Sequence, residues 1–240
     1  MTHEPNAMDC VFSSSPNAIM LFAAGFGTRM GELTSETPKP LIPVAGKPLI
    51  DRALDLTRAM RPDRIVVNLH YRAKQLVDHL EPKGVLFSHE PEILETGGGL
   101  KAALPILGHG PVYTMNPDVI WDGPNPLEML RAAWQPEKMD ALLMCVPAAG
   151  ALGYSGTGDF TVGVDGRLRR GPGVVYGGVQ ILKTTGLGNI DDKAFSLNVL
   201  WNQMVKKGRL YSVTYPGRWC DVGHPAGLKT AEELLADHNV

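Results

Sequence analysis

The sequence predicts a doubly wound α/β fold: a mostly parallel sheet with a small antiparallel section. Three observations predict it. Short continuous apolar runs alternate with segments of helical period through the first half of the chain. Glycines follow the first apolar run directly, and the second half breaks into shorter, glycine-rich alternating pieces. Alternating strand and helix signals are the pattern of β-α-β units around a parallel sheet.

The elements follow in order. Residues 18–24 are a continuous apolar run ending in glycine, as expected of a buried parallel strand. Residues 48–60 (PLIDRALDLTRAM) set Leu49, Ile50, Ala53, Leu54 and Leu56 at helical spacing, with proline at the start. Residues 64–69 read as strand, 73–80 as helix, 85–88 as strand and 99–107 as helix. Strand 111–115, helix 127–134 and strand 140–146 complete the first half. Residues 153–178 are rich in glycine, with alternating pieces at 160–164 and 174–182 and a hairpin signal at Asp165-Gly166. They predict an antiparallel section packed over one end of the sheet. Helix 195–207, strand 210–214 and a closing helix at 225–237 end the chain. There is no internal repeat and no hexapeptide series of the kind that builds a β-helix.

The 240 residues, 44% hydrophobic and 20% charged, suit one domain over 17–240 after a loosely ordered polar tail at 1–16. A net charge of −2 gives no electrostatic case for nucleic acid or an anionic membrane as partner. No apolar run approaches the roughly 20 residues of a membrane helix. The tail lacks the basic start and apolar core of a signal peptide. Cys10, Cys145 and Cys220 are widely separated and include no C-x-x-C pair, so neither a disulfide framework nor a zinc knuckle is expected. A cytoplasmic protein is the expectation, and a monomer, since no assembly domain follows.

Residues 21–41 carry the chemistry. After the first strand come Ala23-Ala24-Gly25-Phe26-Gly27-Thr28-Arg29. Glycines there let backbone N–H groups approach and cradle phosphate oxygens. Arg29 adds a planar fork of donors suited to phosphate. Ten residues on, Pro38 and Pro40 flank Lys39 and stiffen the backbone that aims its ammonium. A Walker loop would require Gly-Lys-Ser/Thr, which is missing. A dinucleotide fingerprint would require glycine where Met30 stands. The second failure counts against an oxidoreductase on a similar sheet.

The stretch resembles the signature of the nucleotidyltransferases that make nucleoside-diphosphate sugars. That signature reads G-x-G-T-R, then T-P-K-P-L, then P-V-x-x-K-P-[LM]-I. This chain has Gly25 to Arg29, then Thr37 to Leu41, then Pro43-Val44-Ala45-Gly46-Lys47-Pro48-Leu49-Ile50. The resemblance runs over residues 17–235 and is greatest to the N-acetylmuramate 1-phosphate uridylyltransferases. Mannose-1-phosphate guanylyltransferases and glucose-1-phosphate thymidylyltransferases share much of it, so a mannose-1-phosphate guanylyltransferase or another NDP-sugar synthase is the alternative reading, beside a non-catalytic nucleotide-sugar-binding homologue.

The resemblance implies a Rossmann-like, GT-A-like fold that joins a nucleoside triphosphate to a sugar 1-phosphate with release of pyrophosphate. It implies that Arg29 and Lys39 are catalytic, and that Asp118 in Asn116-Pro117-Asp118 and Asp221 in Trp219-Cys220-Asp221-Val222-Gly223 hold Mg²⁺. Ala23, Ala24, Gly25, Gly27, Thr28, Asn68, Glu95, Thr96, Gly97 and Gly98 would bind the nucleotide. Asp159, Tyr176, Gly177 and Gly178 would line the sugar pocket. Two residues depart from the pattern: Pro117 stands where the family usually has glycine, and Glu32 where it commonly has proline. His224, after Asp221-Val222-Gly223, is given no catalytic role.

Overall fold

The computed structural model describes residues 15–237, so the greater part of the expected tail, with Cys10, lies outside the described residues. Strand β1 (Ala18–Phe22) starts the fold. It is followed by a 3₁₀ segment (Thr28–Thr34), a short 3₁₀ turn (Lys39–Leu41) and the small hairpin β2 (Pro43–Val44) and β3 (Lys47–Pro48). Next come α1 (Leu49–Ala59), β4 (Arg64–Leu69), α2 (Ala73–Leu80), β5 (Leu86–His89), α3 (Glu95–Leu107) and β6 (Pro111–Met115). Then follow β7 (Val119–Asp122), α4 (Pro126–Ala133), β8 (Ala141–Pro147), β9 (Ala151–Leu152), β10 (Phe160–Val162), β11 (Leu168–Arg170) and β12 (Val174–Lys183). The chain closes with α5 (Asn198–Lys206), β13 (Leu210–Thr214), β14 (Arg218–Asp221) and α6 (Pro225–Ala236).

Alternation along the strands builds two cores, one on each side of the main sheet. In β1, Ile19 and Leu21 join one cluster and Ala18 and Met20 the other, because successive side chains leave opposite faces. Strands β5, β4, β1 and β6 run parallel. Beyond them β12 pairs antiparallel with β6 and with β8, and β13 pairs parallel with β8. The doubly wound, mostly parallel sheet is therefore as expected.

The antiparallel pieces are placed differently from the expectation. They do not cap one end of the sheet; β12 runs through it, and the β10–β11 hairpin continues from β12 at Phe160 and Val174. The reason lies in β12 itself. Val175, Val179, Ile181 and Leu182 are all buried, and a strand apolar on both faces belongs inside a sheet rather than over its end.

A second, three-stranded sheet joins β7, β14 and β9. Strand β14 pairs antiparallel with β7, setting Asp221 opposite Val119. It is held from behind by a third apolar cluster of Met30, Ile42, Val44, Leu49, Cys220, Val222 and the α6 residues Ala231 and Leu234.

The chain leaves β1 toward β4 on one side and returns to β6 on the other. Open α/β sheets bind ligands at such a reversal, outside the carboxyl ends of the strands. Residues 23–29 follow β1 there, and residues 116–118 follow β6.

Candidate active site

The loop after β1 is fixed by backbone geometry. Gly27 has φ +68 and precedes the 3₁₀ segment, and its carbonyl accepts from the Met30 N–H and the Thr34 hydroxyl. A Cβ on Gly27 would lie 2.9 Å from the Lys39 Cβ and 3.0 Å from Thr34 Cγ2. Glycine is required twice there, for the left-handed backbone and for the close approach of Lys39. A neighbouring turn holds the far end of the loop. The Tyr71 hydroxyl donates to the Thr34 carbonyl at 2.8 Å, Arg72 donates to the Ser35 carbonyl, and Gln75 to that of Glu36.

Lys39 is 8% exposed. Its Nζ lies 2.5 Å from Asp118 Oδ2, a charge-assisted contact from the proline-braced turn to the end of β6. Asp221 reaches the same place through the second sheet, where the Val222 N–H donates to the Asp118 carbonyl at 3.0 Å. A Cβ on Gly223 would lie 2.6 Å from Asp221 Oδ2 and 3.2 Å from Arg29 Nη1, so this glycine leaves room for both charged groups. Burial raises the Asp221 pKa, the charge of Asp118 raises it further, and Lys39, Arg29 and His224 oppose the rise. Two carboxylates and two cations thus face one another. His224 itself caps α6: Nδ1 accepts from the Gly227 N–H and Nε2 meets the Gly153 carbonyl.

Three cavities share walls along the strand ends. The first, about 220 Å³, is lined by Ala23, Gly25, Gly27, Thr28, Arg29, Lys39, Pro117 and Asp118, among others. A second of about 220 Å³ takes in Ala24, Gly25, Asn68, Glu90, Glu95, Thr96 and Asp118. A third, about 250 Å³, is lined by Thr96, Asn116, Asp159, Tyr176, Asn198 and Trp201. Phe22 lies in the wall of all three. The structure therefore brings together Arg29, Lys39 and Asp118 at one end and Asp159 and Tyr176 at the other. Pro117 is a wall residue, whereas Glu32 is exposed and lines none of the three.

Several expected residues serve the site from behind it. Asn68 is buried, and its Oδ1 takes the Ala23 N–H at 2.7 Å, which removes that donor from the phosphate cradle. Gly97 and Gly98 line none of the three cavities. Both N–H groups donate to the Phe195 carbonyl, at 2.8 and 3.1 Å, and a Cβ on either would come within 2.3 Å of residues 193–195. Gly177 and Gly178 lie at an irregularity of β12, where its register with β8 shifts between Tyr176 and Gln180. The Gly177 carbonyl accepts from Trp219 Nε1, and that of Gly178, at φ +96, accepts from the Asn116 N–H. These two glycines shape the cavity wall through Asn116 and Trp219.

Glu90 is the functional residue that sequence reasoning missed. It is 4% exposed, yet carries a carboxylate whose Oε1 accepts from Asn68 Nδ2 at 2.7 Å and whose Oε2 accepts from the Leu94 N–H at 3.1 Å. It thereby ties the β1 loop, through Asn68, to the start of α3, where Glu95 adopts φ +57. The available signal was a carboxylate directly after a strand and before proline.

Residues 19–228 match the model of the MobA-like NTP transferase domain. An N-acetylmuramate alpha-1-phosphate uridylyltransferase of Caulobacter vibrioides is 40% identical, over 94% of this chain and 99% of that protein. One of Neisseria meningitidis is 34% identical, over 90% and 96%. Among solved structures, a UDP-glucose pyrophosphorylase complexed with UDP-glucose shares the fold, with a TM-score of 0.74 at 16% identity over 93% of this chain and 99% of that one. The fold, the charged cluster at its switch point and these likenesses agree: the chain belongs to the MobA-like NTP transferase family, among the sugar-1-phosphate nucleotidyltransferases.

Proposed function

We propose that this protein condenses UTP with N-acetylmuramate 1-phosphate, giving the UDP-sugar and pyrophosphate. The observation that carries the reading is the continuity of the three cavities, from Arg29, Lys39 and Asp118 past Glu95 and Thr96 to Asp159 and Tyr176. The identity with two uridylyltransferases of that name supports the choice of base and sugar.

In the proposed reaction a phosphate oxygen of the sugar 1-phosphate forms a bond to the α-phosphorus, and the bond from that phosphorus to the β-phosphate oxygen breaks. The nucleophile is already an anion, so no residue need act as a base. Lys39, braced by Pro38 and Pro40, holds the attacking phosphate and neutralises charge as it develops. Arg29 binds the departing pyrophosphate with its planar fork. The backbone around Gly25 and Thr28 positions the triphosphate, and positioning with electrostatics supplies most of the rate.

The residues fit a magnesium ion. Mg²⁺ typically takes one or two carboxylates and fills its shell with water and substrate phosphate, and Asp118 and Asp221 supply two, the charge of Asp118 adding to the cost of ionising Asp221. Among the described residues there is no group of three or more His, Cys, Asp or Glu that could hold a metal, which suits an ion completed by substrate. Bound there, the ion would withdraw charge from the α-phosphate.

Pyrophosphate release from UTP and N-acetylmuramate 1-phosphate tests the reading. Lys39→Ala is expected to lower kcat by about 100-fold or more while the circular dichroism spectrum is kept; near-full turnover in that variant would show the mechanism to be wrong. A thermal-shift panel of UTP, GTP, dTTP, CTP and ATP with Mg²⁺ should give UTP the largest stabilisation. A larger shift with GTP would move the assignment to a guanylyltransferase.

A further inference from the structure

We propose that Arg170, at the end of β11, selects sugar phosphates that carry a carboxylate; the assignment rests on the function proposed above. N-acetylmuramate differs from N-acetylglucosamine by a lactyl ether ending in a carboxylate, so an enzyme that prefers it needs a cation at the sugar cavity. Among the residues lining that cavity Asp159 is the one carrying a formal charge, and it is negative. An anionic substituent entering there would be repelled unless a cation stands beside it.

Arg170 stands next to that lining without being part of it. Its guanidinium lies over the rings of Phe160 and Trp201, 4.5 and 5.8 Å from their centroids. Nη2 donates to Asn198 Oδ1 at 2.7 Å, and Nε donates to Asn202 Oδ1 at 2.9 Å. Trp201 and Asn198 are both cavity walls, so the cation is tethered to the lining from two directions. Asp159 lies close enough to act on its charge while accepting from the Tyr176 N–H at 2.9 Å. With Nε and Nη2 held by Asn202 and Asn198, the proposal gives Nη1 the contact with a ligand carboxylate. A stacked, pre-organised arginine loses little freedom on binding a carboxylate. The hairpin that carries it is anchored in the core by Leu168 and Phe160, which fixes the cation relative to the sheet.

The test is steady-state kinetics with N-acetylmuramate 1-phosphate and N-acetylglucosamine 1-phosphate, each with UTP, for the unaltered enzyme, Arg170→Gln and Arg170→Lys. Arg170→Gln is expected to raise KM for the muramate substrate about tenfold, with kcat and the KM for the glucosamine substrate nearly unchanged. Arg170→Lys should recover part of the loss. Equal rises in both KM values, or no change in their ratio, would overturn the assignment and leave Arg170 a tether between β11 and α5. If Arg170→Gln does not fold, the salt dependence of the unaltered enzyme decides: the muramate KM should climb more steeply with ionic strength than the glucosamine KM, whose phosphate alone is screened, and parallel curves would overturn the proposal. No turnover of N-acetylmuramate 1-phosphate by the unaltered enzyme would instead sink the functional reading on which it stands.

Discussion

Gly25 and Gly27, after β1, and Gly97 to Gly99, in the first turns of α3, look alike in the sequence: small residues beside a strand end, suited to a backbone that meets a ligand. In the folded chain they differ. A Cβ on Gly25 would meet nothing within 4 Å, and the residue is exposed in the cavity wall. A Cβ on Gly97 would lie 2.3 Å from the Phe195 ring, one on Gly98 2.3 Å from the Lys193 carbonyl, and one on Gly99 2.5 Å from the Glu90 carboxylate. The first set leaves space for substrate and the second for the protein itself. The difference teaches that a glycine run marks a close approach without saying whose.

The comparison can be broken most readily at Gly97. Gly97→Ala must displace Phe195 and disturb two hydrogen bonds at the start of α3. Overpacking of this kind costs about 1–3 kcal/mol, or about 2–4 °C of Tm for each kcal/mol in a chain of this size. Thermal denaturation measures it, and an unchanged Tm would remove the packing role.

On the ligand side the expected sign reverses. Burial and the charge of Asp118 raise the Asp221 pKa above 3.8. Such a group favours the fold fully at pH below 3.8, and that contribution is lost as pH climbs through the raised value. At neutral pH the ionised side chain therefore opposes folding. Asp221→Asn should raise Tm in metal-free buffer at pH 7 while abolishing turnover, and the gain should disappear below pH 3.8. A variant less stable than the parent at pH 7 would contradict the electrostatic account.

The smallest effect on stability is expected at Gly25. Gly25→Ala should alter stability by no more than about 0.5 kcal/mol, since its methyl group meets no protein atom. The same methyl occupies cavity space, so KM for the nucleotide should rise severalfold. Loss of stability as large as that of Gly97→Ala would erase the distinction between the two runs.

What could be read beforehand depended on whether a residue acts through local pattern or distant contact. β4, α2, β6 and β13 match their expected bounds, because apolar period and flanking polar residues specify them locally. Lys39 was legible because two prolines brace it, and Asp118 entered through the family resemblance; their contact was not foreseen. Helix α3 begins at Glu95 rather than residue 99; glycine's weak helix propensity is overridden by the Phe195 carbonyl, which lies about a hundred residues on. Helix α5 starts at Asn198 rather than residue 195 for the reciprocal reason, since residues 195–197 are spent on α3. Glu90 and the second sheet stayed hidden because their partners are remote in sequence. Among the described residues no helix is long and apolar enough to cross a membrane, and Cys145 and Cys220 are buried free thiols.

The second sheet also imposes an order on how the site comes into being. Asp221, the partner carboxylate of Asp118, is made about a hundred residues later, with β14, which docks by pairing with β7. Contacts of such long loop closure form late in folding. A nascent chain that ends before Arg218 can complete β1 and β6 and present Lys39 to Asp118, yet it has no carboxylate pair. Full charge complementarity thus requires β14, and a product that stops short of it is left without the proposed metal site.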